Sequence, residues 1–228
     1  MIPQRSYHPA DGRAESGARA EALHERRAAI EDLGGALRAL VELTTVTEAG
    51  PADLRRAAAA IRAAAAPLAV DTRGRTRPPS ADDLLGGIRM YNPVSGTGSG
   101  LAPPVRAEVV DGEVIGGCVL GLAYEGPPMY AHGGVSALLL DHMLGYATTA
   151  AGRPGMTVAL DIRYRAPVPL QTPLRLTGRV TGVDGRKVLA AGTLATADAP
   201  DTLLVEATGT FVAVPPEKAR ALFGGMGR

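Results

Sequence analysis

The sequence is short of several features that would narrow its function directly. Its 228 residues include one cysteine, Cys118, so the chain can form no internal disulfide, multi-thiolate zinc site or redox pair. Neither sign of charge is in excess. The 24 basic and 23 acidic side chains leave a formal net charge of +1, no Lys-rich or Arg-rich tail stands apart, and the global electrostatic reason to bind nucleic acid is missing. No uninterrupted run of about 18 apolar residues occurs, and Met1-Ile2-Pro3-Gln4-Arg5-Ser6 is polar rather than signal-like. A cytoplasmic protein with no membrane span is expected. Lysine is nearly absent, since only Lys187 and Lys218 are not arginine among the basic residues; alongside abundant Ala and Gly, this bias is consistent with genomic base composition and carries little functional weight.

What is present is ordinary globular material, 46% hydrophobic and 21% charged, enough for a packed core. The chain reads as four parts: an N-terminal helical hairpin (1–66), a Pro/Gly-rich linker (67–103), an α+β domain (104–214) and a C-terminal tail (215–228). In the first, Leu23, Ile30, Leu33, Leu37, Leu40 and Thr44 recur at helical steps between about Glu15 and Thr44, with Gly34-Gly35 as a candidate kink. A second helix is predicted from Gly50-Pro51 to Ala66, stopped by Pro67. The linker, with Pro78-Pro79, Pro93 and Ser95-Gly96-Thr97-Gly98-Ser99-Gly100, reads as poorly ordered. Its glycines lack the Lys-Ser/Thr of a P-loop and the strand and helix of a dinucleotide fold, so phosphate binding is not expected there.

From Val105 the pattern becomes strand-like. Val105–Val110 and Glu113–Tyr124 flank Asp111-Gly112, a pair suited to a tight hairpin turn. The stretch from Gly134 to Ala150 is apolar on nearly every face, which implies a helix enclosed by protein. Further strand runs follow at Met156–Ala166, Leu174–Val183, Lys187–Ala197 and Thr202–Val214. About five long antiparallel strands and one apolar helix predict an α+β sheet curled around that helix.

The candidate chemistry gathers on the same helix. His132-Gly133-Gly134 lies at its start, where backbone N–H groups are unpaired and the dipole is positive, a plausible oxyanion hole or simply a tight turn. Asp141, two turns on and among apolar neighbours, must face a cavity, find a partner or take up a proton. Those conditions suit a general base or nucleophile as well as a structural hydrogen bond. His142 points about 100° away from it and reads as a core or interface histidine. In the next strand, strict alternation puts Val158, Leu160, Ile162 and Tyr164 on one face and Thr157 with the charged residues on the other. Arg163, Arg165, Arg175 and Arg179 are candidates for a basic patch or for ordinary solvated arginines.

Taken in order, Tyr124-Glu125-Gly126-Pro127-Pro128, His132-Gly133-Gly134, Asp141, Thr157 and Tyr164-Arg165-Ala166-Pro167-Val168-Pro169 resemble the hotdog-fold acyl-CoA thioesterases. Within the 4-hydroxybenzoyl-CoA thioesterase-like superfamily, the likeness is to the branch holding the phenylacetate-pathway and human thioesterase-superfamily members. It spans about residues 90–214. The resemblance implies a hotdog fold, hydrolysis of a fatty or aryl acyl-CoA to free acid and coenzyme A, and a homodimer or dimer of dimers with sites between subunits. It also implies roles. The Gly133 N–H, supported by Gly134, polarises the thioester carbonyl; Asp141 activates water or attacks directly; Thr157 holds that water or the carboxylate; His132 shapes the turn. Met129 and Tyr130 lie beside the acyl group, and Arg163 and Arg165 meet the coenzyme A phosphates. No metal or separate cofactor is implied. Relatives commonly carry a glycine and a small residue where this chain has Met129-Tyr130, and often an acid in place of His142, departures that bear on substrate choice. Two other readings share the fold: a non-catalytic acyl-CoA-binding module, and a hydratase or dehydratase pairing His132 with Asp141.

Overall fold

A computed structural model describes residues 9–75, 77–83 and 87–213. The expected C-terminal tail and Val214 lie outside the described residues. Helix α1 (Pro9–Val46) runs unbroken through Gly34-Gly35. Close approach explains the glycine there: Gly34 is buried against the backbone of Thr97 and Gly98, and a Cβ would collide with the Thr97 carbonyl. Helix α2 (Pro51–Ala65) begins on the expected proline and passes into a 3-10 turn, Ala66–Ala69. None of its residues is buried. Docking on the rest of the chain is therefore the work of α1.

Six strands form one antiparallel sheet in the order β1-β2-β4-β5-β6-β3: β1 (Arg106–Val110), β2 (Glu113–Val119), β3 (Met156–Tyr164), β4 (Pro173–Asp184), β5 (Lys187–Thr196) and β6 (Val205–Val212). Asp111 and Gly112, with φ of 50° and 81°, make the β1–β2 turn, both in the left-handed region that a type I′ hairpin requires. Helix α3 (Gly133–Ala150) lies across the sheet. Its Leu139, Leu140, Met143, Leu144 and Ala147 meet Leu174, Leu176, Val188, Leu194, Val205 and Phe211 in the core, each large side chain contributing about 1.5–3 kcal/mol by burial. Gly178 lets the helix come close, since a Cβ there would sit 2.8 Å from the Met143 carbonyl oxygen.

Two expectations change. Helix α3 is not enclosed on every side in a single copy of the chain: Leu138 and Tyr146, with His142 between them at helical spacing, face away from the sheet, which covers only one side. The stretch 87–105, the last part of the expected linker and the lead into β1, is not poorly ordered either. Asn92 Oδ1 accepts from the N–H groups of Val94 and Ser95 (2.8 and 3.0 Å), an Asx turn, and Val94 and Val105 join the core. Irregular spacing of the buried residues hides this packing from periodicity.

Candidate active site

A cleft of about 1000 Å³ opens beside α3. The helix presents Asp141, His142, Tyr146 and Thr149 to it, β3 presents Met156 and Thr157, β6 presents Phe211, and the stretch 87–97 forms the facing wall. Asp141 thus meets two of the conditions its surroundings impose, a cavity and a partner: Thr157 Oγ1 donates to its Oδ1 at 2.9 Å. Oδ2 has no partner among the described residues.

Thr157 reaches Asp141 through a break in the strand pattern. Thr157 pairs with Phe211 and Ala159 with Thr210, so Val158 is an extra residue, a β-bulge. The bulge shifts the phase and turns Thr157 onto the helix side together with Leu160 and Ile162, while Val158 is left 60% exposed. The strict alternation predicted from sequence assigned these two residues to the wrong faces.

The start of α3 forms a second cluster. His132 is the N-cap, and its Nδ1 accepts from the Gly134 N–H at 3.0 Å, so that amide is already committed and the neutral ring carries its proton on Nε2. The Gly133 N–H has no acceptor among the described residues. Tyr164 packs its ring over Gly133 and donates its hydroxyl to the Gly133 carbonyl at 2.9 Å, a contact not foreseen from sequence. Ahead of the helix, Pro127-Pro128-Met129-Tyr130 closes with Tyr130 N–H to Pro127 O at 3.0 Å and Met129 at φ 73°, the pattern of a type II turn. The turn is tied to the Pro-rich segment after β3: Ala131 N–H donates to Val168 O and Leu170 N–H to Met129 O.

The two clusters stand apart in one copy of the chain. Gly133 and Asp141 are eight residues apart on one helix, roughly 12 Å along its axis, and neither His132 nor Gly133 lines the Asp141 cleft. Met129 and Tyr130 belong to the His132 cluster. The expected arginines lie elsewhere: Arg163 and Arg165 are on the face of the sheet turned away from α3, and Arg165 forms a two-pronged ion pair with Glu206 at 3.0 and 2.8 Å. Arg175 and Arg179 line a separate recess with Glu113, Asp201 and Glu206. Alternation sends all four outward, because Leu160, Ile162, Leu174 and Leu176 point in. The arginine at the cleft is Arg89, half-exposed and bonded to Asp82 at 3.0 Å.

His142 is pushed below its ordinary 6.5 by burial, with the Asp141 charge pulling it part-way back. Cys118 is pushed up to about 12 by burial and is no nucleophile near neutrality. Among the described residues no cluster of His, Cys, Asp or Glu is arranged to hold a metal ion, and no helix is long and apolar enough to cross a membrane.

Residues 130–207 match the thioesterase superfamily profile. A crystal structure of a thioesterase superfamily protein is 40% identical, superposes with a TM-score of 0.69, and aligns over 80% of this chain and 94% of its own. The chain belongs to the thioesterase superfamily. Its six-stranded antiparallel sheet packed on α3 is the hotdog-like fold of that superfamily. Residues 104–214 are about half of the chain, so an 80% match extends well beyond them into the N-terminal part. The chain is also similar to acyl-coenzyme A thioesterase THEM4 of Mus musculus, 34% identical over 98 residues (43% of this chain, 42% of that protein), and of Bos taurus, 35% identical over 95 residues (42% and 38%). It spans less than half the length of these two relatives.

Proposed function

We propose that this thioesterase superfamily member hydrolyses acyl-coenzyme A thioesters to a free fatty or aryl acid and coenzyme A. The observation that carries the reading is the Asp141 carboxylate, held at Oδ1 by Thr157 and lining a cleft together with Met90, Val105, Tyr146, Met156 and Phe211. The names of the THEM4 relatives support the substrate class. Water bound at Oδ2 gives up a proton to Asp141 and attacks the thioester carbon. The developing oxyanion takes a hydrogen bond from a Gly133 N–H at the positive end of α3. Collapse expels the coenzyme A sulfur, which takes the proton from Asp141.

The roughly 12 Å between Gly133 and Asp141 calls for Gly133 to come from a second copy. Strand β3 offers the seam: it is a nine-residue edge strand with Met156 and Val158 exposed, the kind of edge that pairs with another strand. A homodimer joined β3 to β3 accounts for both the exposed edge and the divided site.

Product analysis tests the reaction. With a panel of saturated and enoyl-coenzyme A thioesters, equal release of thiol and free acid is expected. A hydroxyacyl thioester without thiol release, or tight binding without turnover, overturns the proposal.

A further inference from the structure

Helix α1 ties down both halves of the divided site with two residues one turn apart. Arg38 Nη1 donates to the carbonyl oxygens of Thr97 and Ser99 at 2.7 and 2.8 Å, and Thr97 belongs to the wall facing Asp141. Glu42 accepts from the backbone N–H groups of Leu122 (Oε1, 2.9 Å) and Ala123 (Oε2, 3.3 Å), at the start of the 3-10 turn Leu122–Tyr124. That turn leads to the oxyanion cluster: the Tyr124 carbonyl accepts the His132 N–H at 2.9 Å, and the Tyr124 hydroxyl donates to Leu101 O at 2.7 Å, joining the turn to the chain that follows the cleft wall.

The fit is close as well as polar. Gly34 lies against the Thr97–Gly98 backbone, Gly98 faces Ile30, and a Cβ on Gly100 would stand 3.2 Å from Leu37 Cβ. The glycine-rich run that lacks a phosphate-binding context is thus the surface on which α1 rests. The helix gives the core little in return: Leu33, Leu37 and Val41 stay 41%, 39% and 41% exposed. Apart from Arg27 Nε, which donates to Ala81 O at 2.8 Å, its long-range polar ties go instead to backbone groups of loops that shape the site, and a charged donor or acceptor on such groups makes the stronger class of hydrogen bond.

We infer that Arg38 and Glu42 are positioning residues, Arg38 setting the wall of the acyl cleft and Glu42 setting the turn that aims the Gly133 N–H. The kinetic part of this rests on the acyl-coenzyme A hydrolase reading. Glu42→Ala is expected to lower kcat roughly tenfold with KM within about twofold, and Arg38→Ala to raise KM roughly tenfold with kcat within about twofold. Glu42→Gln, which keeps one acceptor oxygen, and Arg38→Lys, which keeps the charge, are expected to recover part of each loss.

Amide hydrogen exchange on the same full-length variants reads the positioning without any substrate. Faster exchange confined to Leu122, Ala123 and His132 in Glu42→Ala, and to 96–99 in Arg38→Ala, with β4 and β5 unchanged, is the expected result. Unchanged exchange at those amides, or loosening spread evenly through the sheet, overturns the inference. If the wild type hydrolyses no thioester, the hydrolase reading fails and the exchange pattern alone decides the positioning roles. If either alanine variant fails to fold, Glu42→Gln and Arg38→Lys take its place in the exchange measurement, with the same site-confined pattern, in smaller amplitude, expected and the same contrary patterns decisive.

Discussion

Thr157 Oγ1 stands 2.9 Å from Asp141 Oδ1, and the contact exists because one extra residue, Val158, bulges out of β3 just after Thr157. A regular strand would point Val158 at the helix and Thr157 at solvent. The bulge therefore belongs to the site as much as either side chain does, and it lies where β3 is both the edge of the sheet and the wall of the cleft.

Removing the Thr157 hydroxyl should tell directly on Asp141. A hydrogen bond to a charged group is worth about 1.5–3 kcal/mol, so Thr157→Val is expected to cost roughly tenfold or more in kcat/KM while circular dichroism stays unchanged. Thr157→Ser should keep most of the activity. Steady-state kinetics of the two variants side by side makes the comparison.

Val158→Asp separates the bulge from a regular strand and tests the dimer seam. With Val158 exposed at the edge, the variant should remain folded; the proposed β3-to-β3 dimer predicts that it is monomeric in analytical ultracentrifugation and loses turnover, Gly133 and Asp141 being kept apart. Burial of Val158 in the core would instead unfold it, since an unpaired buried charge costs several kcal/mol.

Met129 occupies the left-handed position of a type II turn, where a side chain costs about 1–2 kcal/mol. Met129→Gly should relieve that strain, offset by about 0.5–1 kcal/mol of added chain entropy in the unfolded state. The expected result is a small net rise in denaturation midpoint. Met129→Val, β-branched, should lower the midpoint clearly.

The half-buried imidazole of His142 gives stability a pH dependence of known sign. Its folded-state pKa lies below 6.5, so the unfolded chain takes up the proton first as pH falls. The stability His142 contributes is complete above about 6.5 and is lost as pH falls through the lower folded-state value. Urea midpoints measured between neutral and mildly acidic pH should drop less steeply in His142→Phe than in the wild type.

Much of the molecule is legible in the sequence for reasons that can be named. Helix α3 is betrayed by its apolar density and by the His132-Gly133-Gly134 entry, the hairpin by Asp111-Gly112, and Asp141 by being a carboxylate where carboxylates are costly. The segment before β1 is not legible, because what orders it is α1: Arg38 and Thr97 are 59 residues apart in sequence and meet only in the folded chain. Tyr164 sits in a recognisable motif, yet its bond to Gly133 depends on how β3 crosses α3. Arg89 carries no local signal; only the packing of 87–97 against the cleft brings it into view.

A catalytic role for Asp141 in acyl-coenzyme A hydrolysis is decided by the turnover of wild type and Asp141→Asn on a series of acyl chain lengths. Measurable release of coenzyme A by the wild type is expected, with a loss of roughly 10²–10⁴-fold in the variant and the fold intact. Equal turnover by the two proteins on every thioester the wild type hydrolyses would contradict it.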